Sequence, residues 1–284
     1  MSITFRAGRI PLDPNAPKPE LTPHLCGNAF TAADSIDYYS KVTNWGELGN
    51  KFWGDCTCAC DGHIAIQQTA YGLGKAQTVT DAETLQAYAA VSGFDINAGP
   101  PGKNPTDKGA TVQAALEYLR KTGIGGFEIA AYGHIDPRSH DAVKHGVEDF
   151  GALSIGINFP KSGMRQFEAG QPLDAVPDDG GIEGGHCVMV AGFDSQFVYI
   201  VTWGQLARMT WAFWDKYVEE AWAVISRDWT TVTGLSLEAF GAEFASAFGG
   251  ANPFAPSVIE ELEDEIQKGV RGFFHKLGYR GVHV

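Results

Sequence analysis

The sequence has no cluster of lysine and arginine and no long apolar run. Its 284 residues carry a formal net charge of −13, with 21 basic side chains against 34 acidic ones. Nucleic-acid-binding proteins present a basic face to the phosphates, so this charge argues against a nucleic-acid partner and is typical of a soluble protein. No stretch approaches the roughly 18 consecutive apolar residues of a transmembrane helix, and we expect no membrane span.

An apolar secretory signal is also missing from the N-terminus. The first ten residues, MSITFRAGRI, lead instead into a segment with five prolines between positions 11 and 23. We therefore expect a cytoplasmic protein, and a bacterial or phage protein, including a virion-associated one, fits that expectation. Prolines remove backbone donors and disfavour helix, so residues 1–30 are expected to form an extended N-terminal arm. Whether this arm is inhibitory stays open.

The cysteine count is low and odd, which excludes a disulfide framework. Three of the five cysteines stand at alternate positions between residues 56 and 60. Reduced thiols are the better expectation for this spacing. A zinc site from these three cysteines and His63 is an alternative, but structural zinc needs a second ligand cluster, for which only Cys26 and Cys187 remain. We predict no metal and no cofactor.

Apolar spacing and capping signals predict helices in the first half of the chain and strands in the second. Helices are expected from Thr31, at Cys56–Tyr71, Asp81–Val91, Thr111–Lys121 and Ser139–Phe150, and later at Trp211–Tyr217. Strands are expected at residues 152–159, 187–193, 197–201 and 221–226. This order indicates an α+β architecture with two lobes.

The last part of the chain differs from the body in composition. Residues 229–256 are rich in glycine, alanine and phenylalanine, and apolar residues then recur every three or four positions over residues 258–278. Early acids and late bases in the second stretch match the helix dipole, which predicts an amphipathic helix. We divide the chain into the arm (1–30), a body (31–228) and a C-terminal tail (229–284), whose helix docks on its own body or on a partner.

Cys56 is the candidate nucleophile. At the start of a helix, free N–H groups and the helix dipole stabilise a thiolate, and the N–H of Cys56 itself can donate to an oxyanion. Gly54 and Asp55 precede it, and the glycine allows close approach of a substrate chain. Asn50 offers its side-chain amide as a second oxyanion donor.

His186 is the candidate general base. It opens a predicted strand after Gly184 and Gly185, which leave its ring accessible. Where such an imidazole meets a cysteine thiol in a partly desolvated groove, the thiolate and the imidazolium stabilise each other.

Together these two segments resemble the papain-like cysteine peptidases. That family places a Gln six residues before a Cys that starts a long helix. Its His is followed by Val two residues later and by Gly-Tyr six and seven residues later. Cys56, His186 and Gly192-Phe193 match this pattern, and Asn50 stands where the family has its Gln. The resemblance implies a papain-like α+β fold, with a helical lobe carrying the Cys and a β-rich lobe carrying the His.

The resemblance covers about residues 40–228 and implies a thiol protease. Such an enzyme cleaves a peptide, isopeptide or related amide bond through a Cys–His thioester mechanism, with a peptide or protein as substrate. Gly54, Asp55, Gly185 and Trp203 would then contact the substrate. The alternative is a papain-fold binding or structural protein that has lost turnover.

The third catalytic member is ambiguous in the sequence. Thr202 lies sixteen residues after His186, about where the family has its Asn, whereas counting back from Trp203-Gly204 selects Val201. A Thr hydroxyl orients an imidazole and a Val side chain does not. The fallback candidates are Asp194 and Gln205.

Overall fold

A computed structural model describes residues 6–25, 32–226, 229 and 237–255. The chain divides into two compact units, Met1–Leu235 and Ser236–Val284. The amphipathic helix predicted over residues 258–278 lies outside the described residues. In the part of the chain that is described, no helix combines the length and the apolar character that crossing a membrane requires.

The described residues form the mixed α+β architecture that the sequence predicts. The helices are α1 (Cys56–Gly72), α2 (Asp81–Ser92), α3 (Val112–Lys121), α4 (His140–Phe150), α5 (Lys161–Glu168), α6 (Trp211–Tyr217) and α7 (Leu237–Phe248). The strands are β1 (Ile36–Asp37), β2 (Ile129–Ile135), β3 (Leu153–Pro160), β4 (Ile182–Phe193), β5 (Phe197–Thr202), β6 (Gln205–Thr210) and β7 (Val218–Ser226). The first unit holds every element except α7.

The strands form one antiparallel sheet in the order β2-β7-β3-β4-β5-β6, and β1 pairs with β4. Strand β3 lies between β7 and β4. Its Gly156 is opposite Glu220 on one side and Cys187 on the other. His186, next along β4, is opposite Ile157. His186 on β4 and the first residues of β7 therefore lie in the same region of the sheet, on either side of β3.

Helix α1 is the central helix of the first unit, packed against β4, α2 and α3. Every residue from Cys56 to Ala70 is buried. The helix is enclosed on all faces, and its buried side chains include polar ones such as Asp61, His63 and Gln67 as well as small and apolar ones. The α4–β3 turn accepts from two buried amides of this helix, since Gln67 donates to the carbonyl of Gly151 and Gln68 to that of Phe150.

Most predicted elements are confirmed within one to five residues at their ends. The predicted capping box is present, with Thr80 accepting from the Glu83 N–H and the Glu83 carboxylate accepting from the Thr80 N–H. The helix predicted from Thr31 is wrong, because residues 32–40 form turns and strand β1. Pairing with β4 overrides the local helical pattern there.

Three strands, β1, β2 and β6, and two helices, α5 and α7, were not predicted. Strand β2 contains His134, a polar residue in a segment without an alternating apolar pattern. His134 is buried against Trp222, and its Nδ1 lies 2.8 Å from the carboxylate of Glu20. Strand β6 and helix α5 also lack a clear periodic signal.

The N-terminal arm lies along the first unit over its described residues. Residues 19–21 pair with His134 at the edge strand β2, through the hydrogen bonds Leu21 N–H to His134 O (2.7 Å) and His134 N–H to Pro19 O (2.8 Å). Leu21 is completely buried. The arm therefore belongs to the packed structure of this unit.

The second unit is described over residues 237–255. Helix α7 and the turn after it are held together by the Asn252 amide, which donates to the Glu238 carbonyl at 3.0 Å. Phe240 contacts both Phe244 and Phe254. These contacts make a small aromatic cluster inside this unit.

Candidate active site

Cys56 is the first residue of α1, and its side chain is almost completely buried. Its Sγ accepts hydrogen bonds from the backbone N–H groups of Cys187 and Gly8. Burial raises the pKa of the Cys56 thiol well above its ordinary value, and the two N–H donors offset only part of this effect. The thiol is therefore protonated at neutral pH in this arrangement.

The turn before α1 contains Asn50, the predicted side-chain donor to the oxyanion, and leads into the helix that starts at Cys56. Asn50 is buried, and its side-chain amide donates to the Trp53 carbonyl (3.1 Å) and the Asp55 carboxyl (3.3 Å). Burial raises the pKa of Asp55 well above its usual range, although the Asn50 hydrogen bond acts in the opposite direction. The N–H of Gly54 donates to the carboxylate of Asp107 at 2.9 Å. These bonds fix the turn that starts the helix.

His186 is fully buried on β4, with its Nε2 2.7 Å from the hydroxyl oxygen of Thr202. The neighbouring Val201 is buried in the sheet at a position opposite Met189. Asp194 accepts from the N–H groups of Gln196 and Phe197 and thereby holds the β4–β5 turn. Of the third-member candidates, Thr202 is the one whose side chain contacts the imidazole.

Trp203 covers the imidazole of His186. The two rings are stacked, with centroids 4.2 Å apart and planes 14° from parallel. Trp203 and Gly204 form the two-residue turn between β5 and β6, and both have positive φ (46° and 73°). Positive φ is uncommon for a bulky residue such as Trp203. In a two-residue hairpin turn, however, positive φ at both positions matches the twist of the flanking strands. The turn thus holds the indole against the imidazole of His186.

The two candidate catalytic side chains belong to elements in direct contact. Cys56 Sγ accepts from the N–H of Cys187, the residue that follows His186. His186 Nδ1 is buried and has no hydrogen-bond partner in the described chain. Burial, together with the nearby charge of Arg9, lowers the pKa of His186 to about 3. Thiol and imidazole are consequently both neutral.

Residues 6–10, named here the cleft segment, fill the groove between the turn before α1 and strand β4. The Arg6 carbonyl accepts from Trp203 Nε1 (3.1 Å) and from the Asn50 amide (3.4 Å). The N–H of Gly8 points at Cys56 Sγ. A backbone carbonyl therefore already occupies the amide donor that the sequence assigned to the oxyanion.

The cleft segment also pairs with both walls of the groove. The N–H of Arg9 donates to the Gly185 carbonyl at 2.8 Å, and Gly8 and Ile10 exchange hydrogen bonds with Ala110 at 2.9 Å. A Cβ on Gly8 would lie 1.9 Å from the Gly54 carbonyl oxygen, and one on Gly185 would lie 2.2 Å from the Arg9 carbonyl oxygen. Glycines at these contacts let the two backbones touch.

The Arg9 side chain leaves the groove for a pocket of β3 and β7. Its guanidinium donates to Glu220 (2.5 Å), Glu219 (2.9 Å) and the Asn158 side-chain oxygen (3.1 Å). Despite the large effect of burial, these two carboxylates raise the pKa of Arg9. Sequence reasoning identified none of these residues, because Arg9 and Glu220 are 211 positions apart.

The described residues of the zinc alternative are buried, and Cys60 and Cys187 lie next to the same serine hydroxyl. Cys60 Sγ lies 3.4 Å from the Ser154 hydroxyl, which is also 3.4 Å from Cys187 Sγ. His63 Nε2 bonds the Gly46 carbonyl at 3.0 Å, and burial lowers the pKa of His63 to about 4. Among the described residues, which exclude Cys26, no three His, Cys, Asp or Glu side chains converge as a metal site requires.

Comparison with known proteins gives matches in structure. No protein-family model matches the sequence, and no curated protein matches it. Xylellain, a cysteine protease from Xylella fastidiosa, superposes with a TM-score of 0.58 at 13% identity, over 78% of this chain and 96% of that one. Digestive procathepsin L 3 of the Tenebrio molitor larval midgut gives 0.52 at 13% identity, over 78% and 76% of the two chains. The chain therefore has the fold of the papain-like cysteine proteases.

Proposed function

We propose that this protein is a cysteine hydrolase that cleaves a peptide, isopeptide or related amide bond, with Cys56 as nucleophile and His186 as general base. The observation that carries the proposal is the His186–Thr202 hydrogen bond of 2.7 Å. When Thr202 accepts from Nε2, the proton is on that nitrogen and Nδ1 keeps its lone pair. Nδ1 is the buried atom without a partner in the described chain, on the strand that also contacts the Cys56 sulfur.

The reaction then follows from these positions. His186 Nδ1 takes the thiol proton, and the Cys56 sulfur attacks the substrate carbonyl carbon. The Asn50 amide and the Cys56 N–H stabilise the oxyanion. The imidazolium gives its proton to the leaving amine as the C–N bond breaks, which leaves a thioester. His186 next removes a proton from water, the resulting hydroxide attacks the thioester, and the carboxylic acid leaves while the thiol is re-formed.

This chemistry requires the cleft segment to move. With residues 6–10 in the groove, burial holds the thiol and the imidazole in their neutral forms. Once the groove is open to water and substrate, the desolvation that separates the two pKa values is relieved, and a thiolate–imidazolium pair becomes accessible.

The second candidate is a papain-fold binding protein without turnover. The observation in its favour is the occupied groove, because the Arg6 carbonyl takes the Asn50 donor and Gly8 covers the sulfur. In this case the cleft segment is a permanent part of the structure.

Thiol alkylation separates the two candidates. Iodoacetamide is reacted with the full chain and with a Gly8→Ala variant, and the modified cysteine is identified by peptide mass mapping. The hydrolase proposal expects Cys56 of the variant to react at pH 7 much faster than Cys58 or Cys60, and His186→Ala to remove this selectivity. Equal and slow reaction of all three cysteines in Gly8→Ala, with the fold intact, contradicts the proposal.

A further inference from the structure

The pocket that holds the Arg9 guanidinium is not used by the chemistry proposed above. Arg9 is 5% exposed although it carries a full charge, and it lies in the segment that also touches Cys56. A buried cation is tolerated only where its charge and its N–H donors are matched by acceptors. Asn158, Glu219 and Glu220 supply acceptors to the two terminal nitrogens of Arg9 and define what we name the Arg9 pocket, while Nε has no hydrogen-bond partner among the described residues.

Neighbouring side chains of the sheet hold the two carboxylates of the Arg9 pocket in place. The second carboxylate oxygen of Glu220 accepts from Trp222 Nε1 at 2.9 Å. The second oxygen of Glu219 accepts from the Asn158 amide. Each carboxylate is thus held by a neighbour through one oxygen and presents the other to the guanidinium. Such a preorganised acceptor set loses little freedom when a guanidinium binds.

Gly156 gives the pocket its room. A Cβ at this position would lie 2.6 Å from Glu220 Cγ and 2.7 Å from Arg9 Cδ. The glycine faces Glu220 across the β3–β7 pairing. The space that the Arg9 side chain occupies therefore exists because the central strand carries no side chain there.

The pocket lies beside the catalytic pair. The N–H of Arg9 bonds the carbonyl of Gly185, the residue immediately before His186. A peptide residue that makes the same backbone bond places its side chain in the Arg9 pocket and its neighbour next to Cys56, as Gly8 is now.

We propose that the Arg9 pocket is a specificity site that binds an arginine side chain of a peptide substrate when the cleft segment leaves the groove. This inference rests on the hydrolase function proposed above. Arginine fits better than lysine because acceptors from three side chains surround one planar guanidinium, and an ammonium group presents its donors from a single point. Arg9 occupies the site as a built-in competitor of the substrate.

The first test measures binding without catalysis. Full-length Arg9→Ala is melted with and without N-acetyl-arginine amide, with N-acetyl-lysine amide as the matched ligand and Lys18→Ala as a control that removes another charge from the arm. We expect the arginine derivative to raise the Tm of Arg9→Ala only, and Glu220→Gln in that background to abolish the shift. If Arg9→Ala does not fold, Arg9→Gln replaces it, since its amide still donates to Glu220.

The second test measures specificity. Arg9→Ala is assayed on two peptide amides that differ only by Arg or Leu at the varied position, with Cys56 alkylation followed in parallel. We expect at least a tenfold preference for the arginine peptide, lost in Glu220→Gln. Reactive Cys56 with equal cleavage of both peptides overturns the pocket and leaves the hydrolase proposal standing. A Glu220-dependent Tm shift without cleavage supports the pocket and counts against the hydrolase. Absence of both the shift and the preference overturns the inference.

Discussion

Nε2 of His186 and the hydroxyl of Thr202 lie 2.7 Å apart, both residues are buried, and the indole of Trp203 is stacked on the imidazole. In the proposed mechanism, the Thr hydroxyl takes the orienting position that many triads give to a carboxylate or amide. A neutral hydroxyl donates or accepts, so it fixes the ring while stabilising the imidazolium less than a carboxylate would.

Thr202→Val is expected to lower hydrolysis by about tenfold or more. The substitution leaves Nε2 buried without a partner, which costs about 1–3 kcal/mol, and it removes the preference for the tautomer with a free Nδ1. The rate is measured in the Gly8→Ala background on an arginine-containing peptide amide. Thr202→Ser keeps the hydroxyl and should retain most of the activity. Equal rates of hydrolysis for the Thr202→Val and Thr202→Ser variants would show that the hydrogen bond does not orient the His186 imidazole.

Gly8→Ala is expected to expose Cys56. The added Cβ would lie 1.9 Å from the Gly54 carbonyl oxygen, a backbone atom, so we expect the cleft segment to leave the groove. In the native chain burial raises the pKa of the Cys56 thiol, and alkylation therefore grows only towards alkaline pH. In the variant we expect the rate at pH 7 to rise at least about tenfold, as thiolate becomes available.

The control for this variant is Ala7→Gly, one residue earlier in the same segment. It removes a methyl group and adds none, so it creates no collision with the groove. Alkylation of Cys56 at pH 7 should stay near the native rate. A Gly8→Ala protein that melts normally and still protects Cys56 would contradict the proposed opening.

Asn50→Ala is expected to separate two reactions of the same sulfur. Removing one oxyanion donor costs on the order of 100-fold or more in kcat for hydrolysis. Alkylation by iodoacetamide displaces iodide without forming an oxyanion, so its rate should change little. Both rates are compared in the Gly8→Ala background. Since the Asn50 amide also bonds the Trp53 carbonyl and Asp55, a melting curve checks the turn before α1. A parallel fall of both rates would assign Asn50 a purely structural role.

The local part of this site was accessible from the sequence. A cysteine after a Gly-Asp turn and a histidine after two glycines are signals contained in a few residues, and they indicated Cys56 and His186. Thr202 and Val201 could not be separated by counting, because successive residues of a strand face opposite sides and only the register decides between them.

The occupant of the groove was not accessible in this way. The proline-rich arm was predicted to be extended, but its course depends on contacts with partners more than 100 residues away, such as the Arg9–Glu220 pair and the bond from Leu21 to His134. The same reason explains the missed strand β2. Its alanine, glycine and histidine give no alternating pattern, and it is stabilised by pairing with β7 along its whole length.

Asp149 predicts a pH dependence of stability. Burial raises the pKa of Asp149 to about 6, and its Oδ2 has no hydrogen-bond partner among the described residues. Between its unfolded value of about 4 and this folded value, the folded state holds more protons than the unfolded state, so the stability contributed by this group falls as pH rises from about 4 to 6. Above pH 6 the full penalty, about 2–3 kcal/mol for two pKa units, is present. Asp149→Asn should therefore gain stability relative to the native chain at pH 7 and lose that advantage at pH 4, measured by urea denaturation.

Asp141→Asn, on the exposed first turn of the same helix, is the matched control and should track the native chain at both pH values. If the Asp149→Asn variant kept the same advantage at pH 4 as at pH 7, the gain would come from packing and not from the loss of a buried carboxylate.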